Sequence, residues 1–256
     1  MKNIFINLLK LFSIYISRTN WKSYYFNQLK KNSLDISFDE IYKKIYKKND
    51  NLIIFDIGAN VGQSIIRFQK ELKFKEIHSF EPNTEAFEKL KKFSSNSIFL
   101  NNCALGDKNQ YKDFYNYKKT SSSSFYKLNK NSSIYEINKD YNVSKIEIKT
   151  LDGYVKKNMN INKINILKID TQGFEVEVLR GANNLIKNKK IDFIETEINL
   201  GFQYENRTSF KNIEDLLFDN YILIALKESG NIISNLDFQT NAIYANKEII
   251  NKFYEN

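Results

Sequence analysis

A chain of 256 residues with 42% hydrophobic content and a single proline holds enough apolar material for one substantial core, which excludes an extended disordered polymer. Its one cysteine, Cys103, excludes an intramolecular disulfide, and with no CxxC pair or Cys/His cluster there is no structural zinc pattern, so a reducing, cytoplasmic compartment is expected. The net charge of +9 is nearly all lysine, since only Arg18, Arg67, Arg180 and Arg207 supply guanidinium, and the lysines are scattered among acids, so no nucleic-acid partner is expected.

Residues 1–50 read as an N-terminal helical extension. It opens with MKNIFINLLKLFSIYISRTNW, whose apolar run is interrupted by Lys10, lacks a small-residue cleavage site and is short for a bilayer span. An amphipathic helix that packs on the domain, or rests on a membrane surface at its inner face or on a partner, is expected.

Residues 51–256 read as one domain. Leu52–Ile57, Glu76–Phe80 and Ser97–Asn102 are predicted strands, with helices over Gly62–Leu72 and Thr84–Phe93 between them. Such alternation predicts an α/β fold, a mostly parallel sheet with helices on both faces. From about 106 to 160 the rhythm breaks into aromatic, lysine- and serine-rich text, predicted as a two-stranded excursion, Gln110–Tyr117 and Lys145–Thr150, with the run Ser121–Ser124 as a mobile loop that shapes a substrate pocket. Regular order resumes with strand Ile164–Asp170, helix Phe174–Lys187, strand Asp192–Ile198, helix Phe210–Asp219, strand Tyr221–Leu226 and a last strand at Asn241–Asn246.

The first strand ends in Asp56, and the turn after it runs Gly58, Ala59, Asn60, Val61, Gly62 before Gln63 and Ser64 open a helix. Two glycines allow a tight turn and a close ligand approach, and the helix begins with free amides. The GxGxxG of a dinucleotide site lacks its third glycine here, and a carboxylate at Asp56 suits a ligand with a positive group, such as the ammonium and sulfonium of S-adenosyl-L-methionine. Glu81, followed by Pro82 and Asn83, ends the second strand where a carboxylate accepts both hydroxyls of a ribose. Asn102, Cys103 and Ala104 end the third strand and supply an apolar wall with polar edges for an adenine.

In order and spacing these motifs resemble the FkbM-type methyltransferases, a family of Rossmann-like enzymes that use S-adenosylmethionine. The matching text is FDIGANVGQS, FEPN at Phe80–Asn83, ALGD at Ala104–Asp107, the serines near Ser122, TLDGYV at Thr150–Val155, LKIDTQGFEVEVLRGA at Leu167–Ala182 and IETE at Ile194–Glu197. The resemblance implies a seven-stranded sheet with one antiparallel strand near the C-terminus, and transfer of a methyl group to a hydroxyl of a saccharide, a glycan or another secondary metabolite. Gln172 departs from the family text, where KIDVEG has an acid.

Methyl transfer needs the acceptor held in line with the sulfur, and a hydroxyl needs a group to take its proton. Asp170 at the end of the fourth long strand, Glu175 in the first turn of the next helix and Glu197 near the end of the fifth are the candidate catalytic residues; Glu175 has an equally good role in complementing the positive helix end. Asp170 doubles as a cofactor contact. Together with Glu195 and Glu197, which share a strand face, it could hold a divalent metal ion. His78, the only histidine, is expected to be packed inside the second strand. Tyr115, Tyr117, Phe125, Tyr126, Phe202 and Tyr204 are candidates for stacking on a sugar. The competing readings are a nucleic-acid methyltransferase, which should show a Pro-Pro-Tyr type motif where this chain has Asp170-Thr-Gln-Gly173, a non-catalytic nucleoside-binding module and a nicotinamide-dependent oxidoreductase.

Overall fold

The computed structural model describes residues 37–47, 51–132, 134–136, 138–201, 203–206, 209–229 and 239–255. The expected amphipathic segment at 1–21 and the sugar-stacking candidate Phe202 lie outside them. Among the described residues no helix is long and apolar enough to cross a membrane.

Helix α1 (Phe38–Ile45) starts at Ser37, whose hydroxyl accepts from the Asp39 amide at 3.3 Å, and carries Asp39 and Glu40 in its first turn and Lys43 and Lys44 in its last, matching the helix dipole. Phe38, Ile41, Tyr42 and Ile45 fall on one face at helical spacing and bury against the sheet. The alternating region then supplies β1 (Leu52–Ile57), α2 (Gln63–Glu71), β2 (Phe74–Phe80), α3 (Thr84–Leu90) and β3 (Ile98–Asn101). After the excursion come α4 (Leu151–Lys157), β7 (Ile164–Ile169), α5 (Glu175–Arg180), α6 (Asn183–Lys187), β8 (Ile191–Asn199), α7 (Phe210–Leu217), β9 (Tyr221–Ser229), β10 (Gln239–Asn246) and α8 (Lys247–Glu255).

The main sheet has seven strands in the order β3-β2-β1-β7-β8-β10-β9, and β10 alone runs antiparallel to its neighbours β8 and β9. This is the Rossmann-like arrangement expected. Its central strands are buried on both faces because helices cover both, so β8 is buried along its whole length. One face packs Phe55, Ile57, Leu167, Ile169 and Ile194 against Val178, Leu179 and Ile213; the other packs Ile54, Ile77, Ile166, Phe193 and Ile243 against Tyr42, Ile65 and Phe68. His78 is packed: its ring stacks on Phe55 and Phe99 at 4.7 and 4.9 Å, with Nδ1 3.0 Å from the Tyr154 hydroxyl.

Two predicted elements differ. The excursion is a three-stranded sheet, β4-β6-β5, made of β4 (Ala104–Leu105), β5 (Gln110–Tyr117) and a longer β6 (Tyr141–Lys149). The helix predicted over Phe174–Lys187 is broken into α5 and α6. At the break a Cβ on Gly181 would lie 1.9 Å from the Gly106 carbonyl oxygen, and the Asp152 carboxylate accepts from the amides of Asn184 and Leu185 at 2.9 and 3.1 Å, capping a fresh helix start.

Candidate functional site

Strand order reverses between β1 and β7, and there, at the carboxyl ends of β1, β2 and β7, a cavity of about 270 Å³ opens. Its floor is the turn after β1. Gly58 has φ +83°, and a Cβ there would lie 1.9 Å from the Asp170 carbonyl oxygen, so glycine is required by both conformation and space. The Gly58 and Ala59 amides donate to the Phe80 carbonyl at 2.9 and 3.0 Å, tying the turn to β2. Asn60 (φ +47°) and Gly62 (φ +97°) complete the left-handed path into α2, whose Gln63 and Ser64 line the cavity together with Ala59 and Asn60.

Glu81 lines the opposite wall with Pro82, while only 6% exposed. Its Oε2 accepts from the Asn60 amide and its Oε1 from the Asn83 amide, each at 2.7 Å. Each oxygen keeps a further lone pair. Burial pushes its pKa up to about 7, against the opposing pull of the two amides. Ala104, Leu105, Phe114, Phe125 and Phe174 form the apolar remainder of the wall.

Several expected residues stand behind the wall. Asp56 is fully buried, because strand alternation places it on the Ile54 face under α1 and α2; neither of its oxygens has a hydrogen-bond partner, and Lys168 Nζ lies 3.5 Å away. Burial raises its pKa and Lys168 opposes the rise. Gly62 abuts the Phe93 ring, where a Cβ would meet it at 2.3 Å. Asn83 caps α3 by accepting from the Ala86 amide at 2.8 Å, and Asn102 Nδ2 donates to the Glu81 carbonyl at 2.8 Å. These last two fix the Glu81 loop from outside. Cys103 is buried in the core.

Asp170, by contrast, lines the cavity with its side chain 36% exposed. Lys168, which the sequence reading passed over, also lines it and sits 3.5 Å from both Asp56 and Asp170; burial alone would lower its pKa, but the two carboxylates raise it above the ordinary range. Glu175 does not reach the wall. Fully buried, it accepts at Oε1 from the Thr171 amide, the Thr171 hydroxyl and the Gly173 amide at 2.9, 3.1 and 3.1 Å, so it ties down the loop, with burial pushing its pKa up to about 7. Glu197 is likewise behind the wall, 7% exposed, with Oε2 accepting from Gln172 Nε2 at 2.9 Å. Burial and then the charges of Asp170 and Glu175 raise its pKa.

The proposed acid cluster for a metal does not assemble. Glu195 is drawn to the far side by Arg67, which donates to both its oxygens at 2.8 and 2.6 Å, and by the Tyr42 hydroxyl at 2.8 Å. Burial pushes its pKa up, and Arg67, Lys168 and the Tyr42 hydroxyl together more than reverse that. Among the described residues no group of His, Cys, Asp or Glu side chains is placed to hold a metal ion.

The serine run is not a mobile loop but part of the wall. Thr120, Ser121 and Ser123 line the cavity, Ser124 Oγ donates to the Gln172 carbonyl at 2.7 Å, Ser123 Oγ accepts from the Tyr117 amide at 3.1 Å, and Thr120 Oγ1 donates to Asn60 Oδ1 at 3.0 Å. Short hydroxyl side chains bonding to nearby backbone hold such a segment. Of the stacking candidates, Tyr117 and Tyr204 are buried with Leu128, Phe125 is on the cavity wall, Tyr126 packs over Phe174, and Tyr115 rests edge-on against Tyr141.

The description "Methyltransferase FkbM domain" belongs to the family model that matches residues 56–229. The chain belongs to the FkbM methyltransferase family. It is therefore an S-adenosylmethionine-dependent methyltransferase. This FkbM methyltransferase is 23% identical over 182 residues to "Methyltransferase 1" of Beauveria bassiana (strain ARSEF 2860), covering 64% of this chain and 72% of that protein. The crystal structure of a methyltransferase FkbM from Methylobacillus flagellatus KT aligns over 78% of the chain at 15% identity and TM-score 0.46, and the chain spans about half the length of that protein, 47%. M. capricolum TrmK, solved with the cofactor product S-adenosyl-homocysteine, aligns over 83% of the chain and 69% of its own at 14% identity and TM-score 0.40.

The residues present fit that cofactor. The turn leaves bare main chain on one flank, Glu81 offers two carboxylate oxygens on the other, and the apolar wall at Ala104, Leu105 and Phe125 suits a flat base.

Proposed function

We propose that this FkbM enzyme is an O-methyltransferase that acts on a hydroxyl of a saccharide or related glycan or secondary metabolite, in a reducing, cytoplasmic setting. In this reading Glu81 takes the ribose hydroxyls, the Gly58–Asn60 main chain supports the nucleoside, and Ala104, Leu105 and Phe125 flank the adenine. The cofactor supplies, when bound, an electrophilic methyl group on its sulfonium. Asp170 then holds the acceptor hydroxyl and receives its proton, with the Lys168 ammonium 3.5 Å from its carboxylate.

One observation supports the reading most: Asp170 is a carboxylate at the cavity wall, partly exposed, at the carboxyl end of β7 where an acceptor can reach it. Behind it Gln172, Glu197, Asn199, Gln203 and Gln239 form a hydrogen-bonded row of amides and one acid that backs the wall where Asp170 stands. The lone cysteine is buried and free, in keeping with the compartment proposed.

The test offers methyl-tritiated S-adenosylmethionine together with a panel of mono- and oligosaccharides and, in parallel, total RNA. Label is expected in a saccharide as a base-stable ether. Asp170→Asn is expected to lower turnover by about 10²- to 10⁴-fold while leaving S-adenosylhomocysteine affinity nearly unchanged. Label in RNA alone, or full turnover by the Asp170→Asn variant, overturns the reading.

A further inference from the structure

Gln172 is a side chain that touches both acids at the open end of the sheet. Its Nε2 donates to Asp170 Oδ1 and to Glu197 Oε2, each at 2.9 Å, and its Oε1 accepts from the Tyr204 hydroxyl at 2.9 Å and from Gln203 Nε2 at 3.4 Å. Its carbonyl accepts from Ser124 Oγ at 2.7 Å, so the serine run locks its main chain as well. It adopts φ +56°, a left-handed conformation that long side chains rarely hold without being forced.

The direction of this amide follows from its partners. Nε2 lies 2.9 Å from an oxygen of each acid while Oε1 lies 2.9 Å from the Tyr204 hydroxyl, and an amide with two N–H donors at one end serves both acids in this orientation. With the amide turned the other way, its oxygen would meet two carboxylates and both acids would lose their donor. The charged and titratable groups around it are Lys168 and Asp170 of β7, Asp56 of β1, Glu175 of α5, Glu197 of β8 and the Tyr204 hydroxyl, so acids outnumber cations at this point. A neutral double donor is the side chain that holds an oxygen of each acid at hydrogen-bond distance from a single nitrogen.

We propose that Gln172 is a positioning residue for methyl transfer, a clamp that keeps the Asp170 carboxylate presented to the cavity by bridging it to Glu197. The clamp rests on the reading that Asp170 receives the acceptor's proton, and it extends that reading to Gln172, a neighbour on the cavity wall that acts through Asp170. It also assigns Glu197 a role: an anchor for the amide rather than a group that meets substrate.

Two variants and three readouts test it. Gln172→Met keeps the length and the unbranched stem but removes both donors; Gln172→Glu keeps the shape and places a third acid between two others. Calorimetric titration with S-adenosylhomocysteine is expected to give nearly wild-type affinity for both, which certifies folding. With whichever saccharide is labelled by the wild type, kcat is expected to fall by about tenfold to a hundredfold in Gln172→Met with the KM for S-adenosylmethionine little changed, since a misplacement of about 1 Å costs that much. The Gln172→Glu rate, relative to wild type, is expected to recover as pH falls, because a protonated glutamic acid regains one donor toward its neighbours. A purely structural glutamine would lower stability without producing that pH dependence. Crystal structures of Gln172→Met supply the readout that needs no acceptor: the Asp170 carboxylate is expected to swing away from its wild-type position. An unmoved Asp170, or an unchanged kcat in Gln172→Met, overturns the clamp; failure of every saccharide to take label sinks the acceptor reading alone and leaves the crystallographic comparison to decide the clamp.

Discussion

With Glu81 on the ribose, as proposed, cofactor binding would be linked to a proton, and the link has a calculable size. Burial raises its pKa from 4.5 to about 7, and at 1.36 kcal/mol per unit that rise corresponds to about 3 kcal/mol for charging the carboxyl inside the folded protein. The folded pKa lies above the unfolded one, so the contribution to stability is fully present below pH 4.5 and is lost as pH rises through about 7. Glu175 is raised to about 7 for the same first cause and acts in the same direction. The unliganded enzyme should therefore unfold at a higher temperature near pH 5 than near pH 8. A ribose diol reverses the balance at Glu81, because two hydroxyl donors favour the carboxylate. Binding of S-adenosylhomocysteine should then expel about 0.9 proton near pH 6, about half a proton at pH 7 and almost none near pH 8.5, with affinity rising toward pH 7 and levelling above it. Calorimetry in phosphate and in Tris, whose ionisation enthalpies differ, counts that proton directly. Glu81→Gln should abolish the release and weaken binding, leaving one backbone N–H facing an amide at a cost of about 1–3 kcal/mol. Binding with no proton release in the wild type at any of these pH values would refute the assignment of Glu81 to the ribose.

Two further perturbations probe the frame around the cavity. Gly58→Ala places a methyl group 1.9 Å from the Asp170 carbonyl at φ +83°; left-handed strain of about 1–2 kcal/mol and overpacking of about 1–3 kcal/mol should lower the melting temperature and abolish S-adenosylhomocysteine binding, as differential scanning fluorimetry with and without ligand would report. Arg67→Met leaves buried Glu195 with the Tyr42 hydroxyl as its remaining hydrogen-bond partner and takes the guanidinium from Asp39, 3.4 Å away, which should cost about 3–5 kcal/mol in urea denaturation, while Arg67→Met with Glu195→Met together should recover the part of that loss due to Glu195.

Much of the fold is legible in the chain because the alternation of short apolar runs with amphipathic segments has one economical solution, a parallel sheet with covered faces. Gly58 and Glu81 are legible for a similar reason: a tight turn needs glycine, and an acid ending the next strand falls opposite it. The side-chain directions are harder to read. Asp56 looks like a wall residue in the text, yet period-two alternation turns it inward beside Ile54, and Lys168 takes the place on the wall. Glu175 and Glu197 share the motif region with Asp170 but are turned into the loop and the amide row, a difference made by contacts from Thr171, Gly173 and Gln172 that no spacing rule states. The break between α5 and α6 is set by Gly106 and Asp152, distant residues that press on Gly181 and cap Asn184. The serine run reads as flexible because serine favours turns, but Tyr117, Gln172 and Asn60 hold it from three sides.

What occupies the cavity between the Gly58 turn and Glu81 decides whether they form the cofactor site. A crystal structure of the protein grown with S-adenosylhomocysteine tests it most directly. The expected density is a nucleoside over the Gly58–Asn60 main chain, its ribose hydroxyls on the two Glu81 oxygens and its base against Leu105 and Phe125; density for the nucleoside elsewhere on the protein, with this cavity filled by solvent alone, would contradict it.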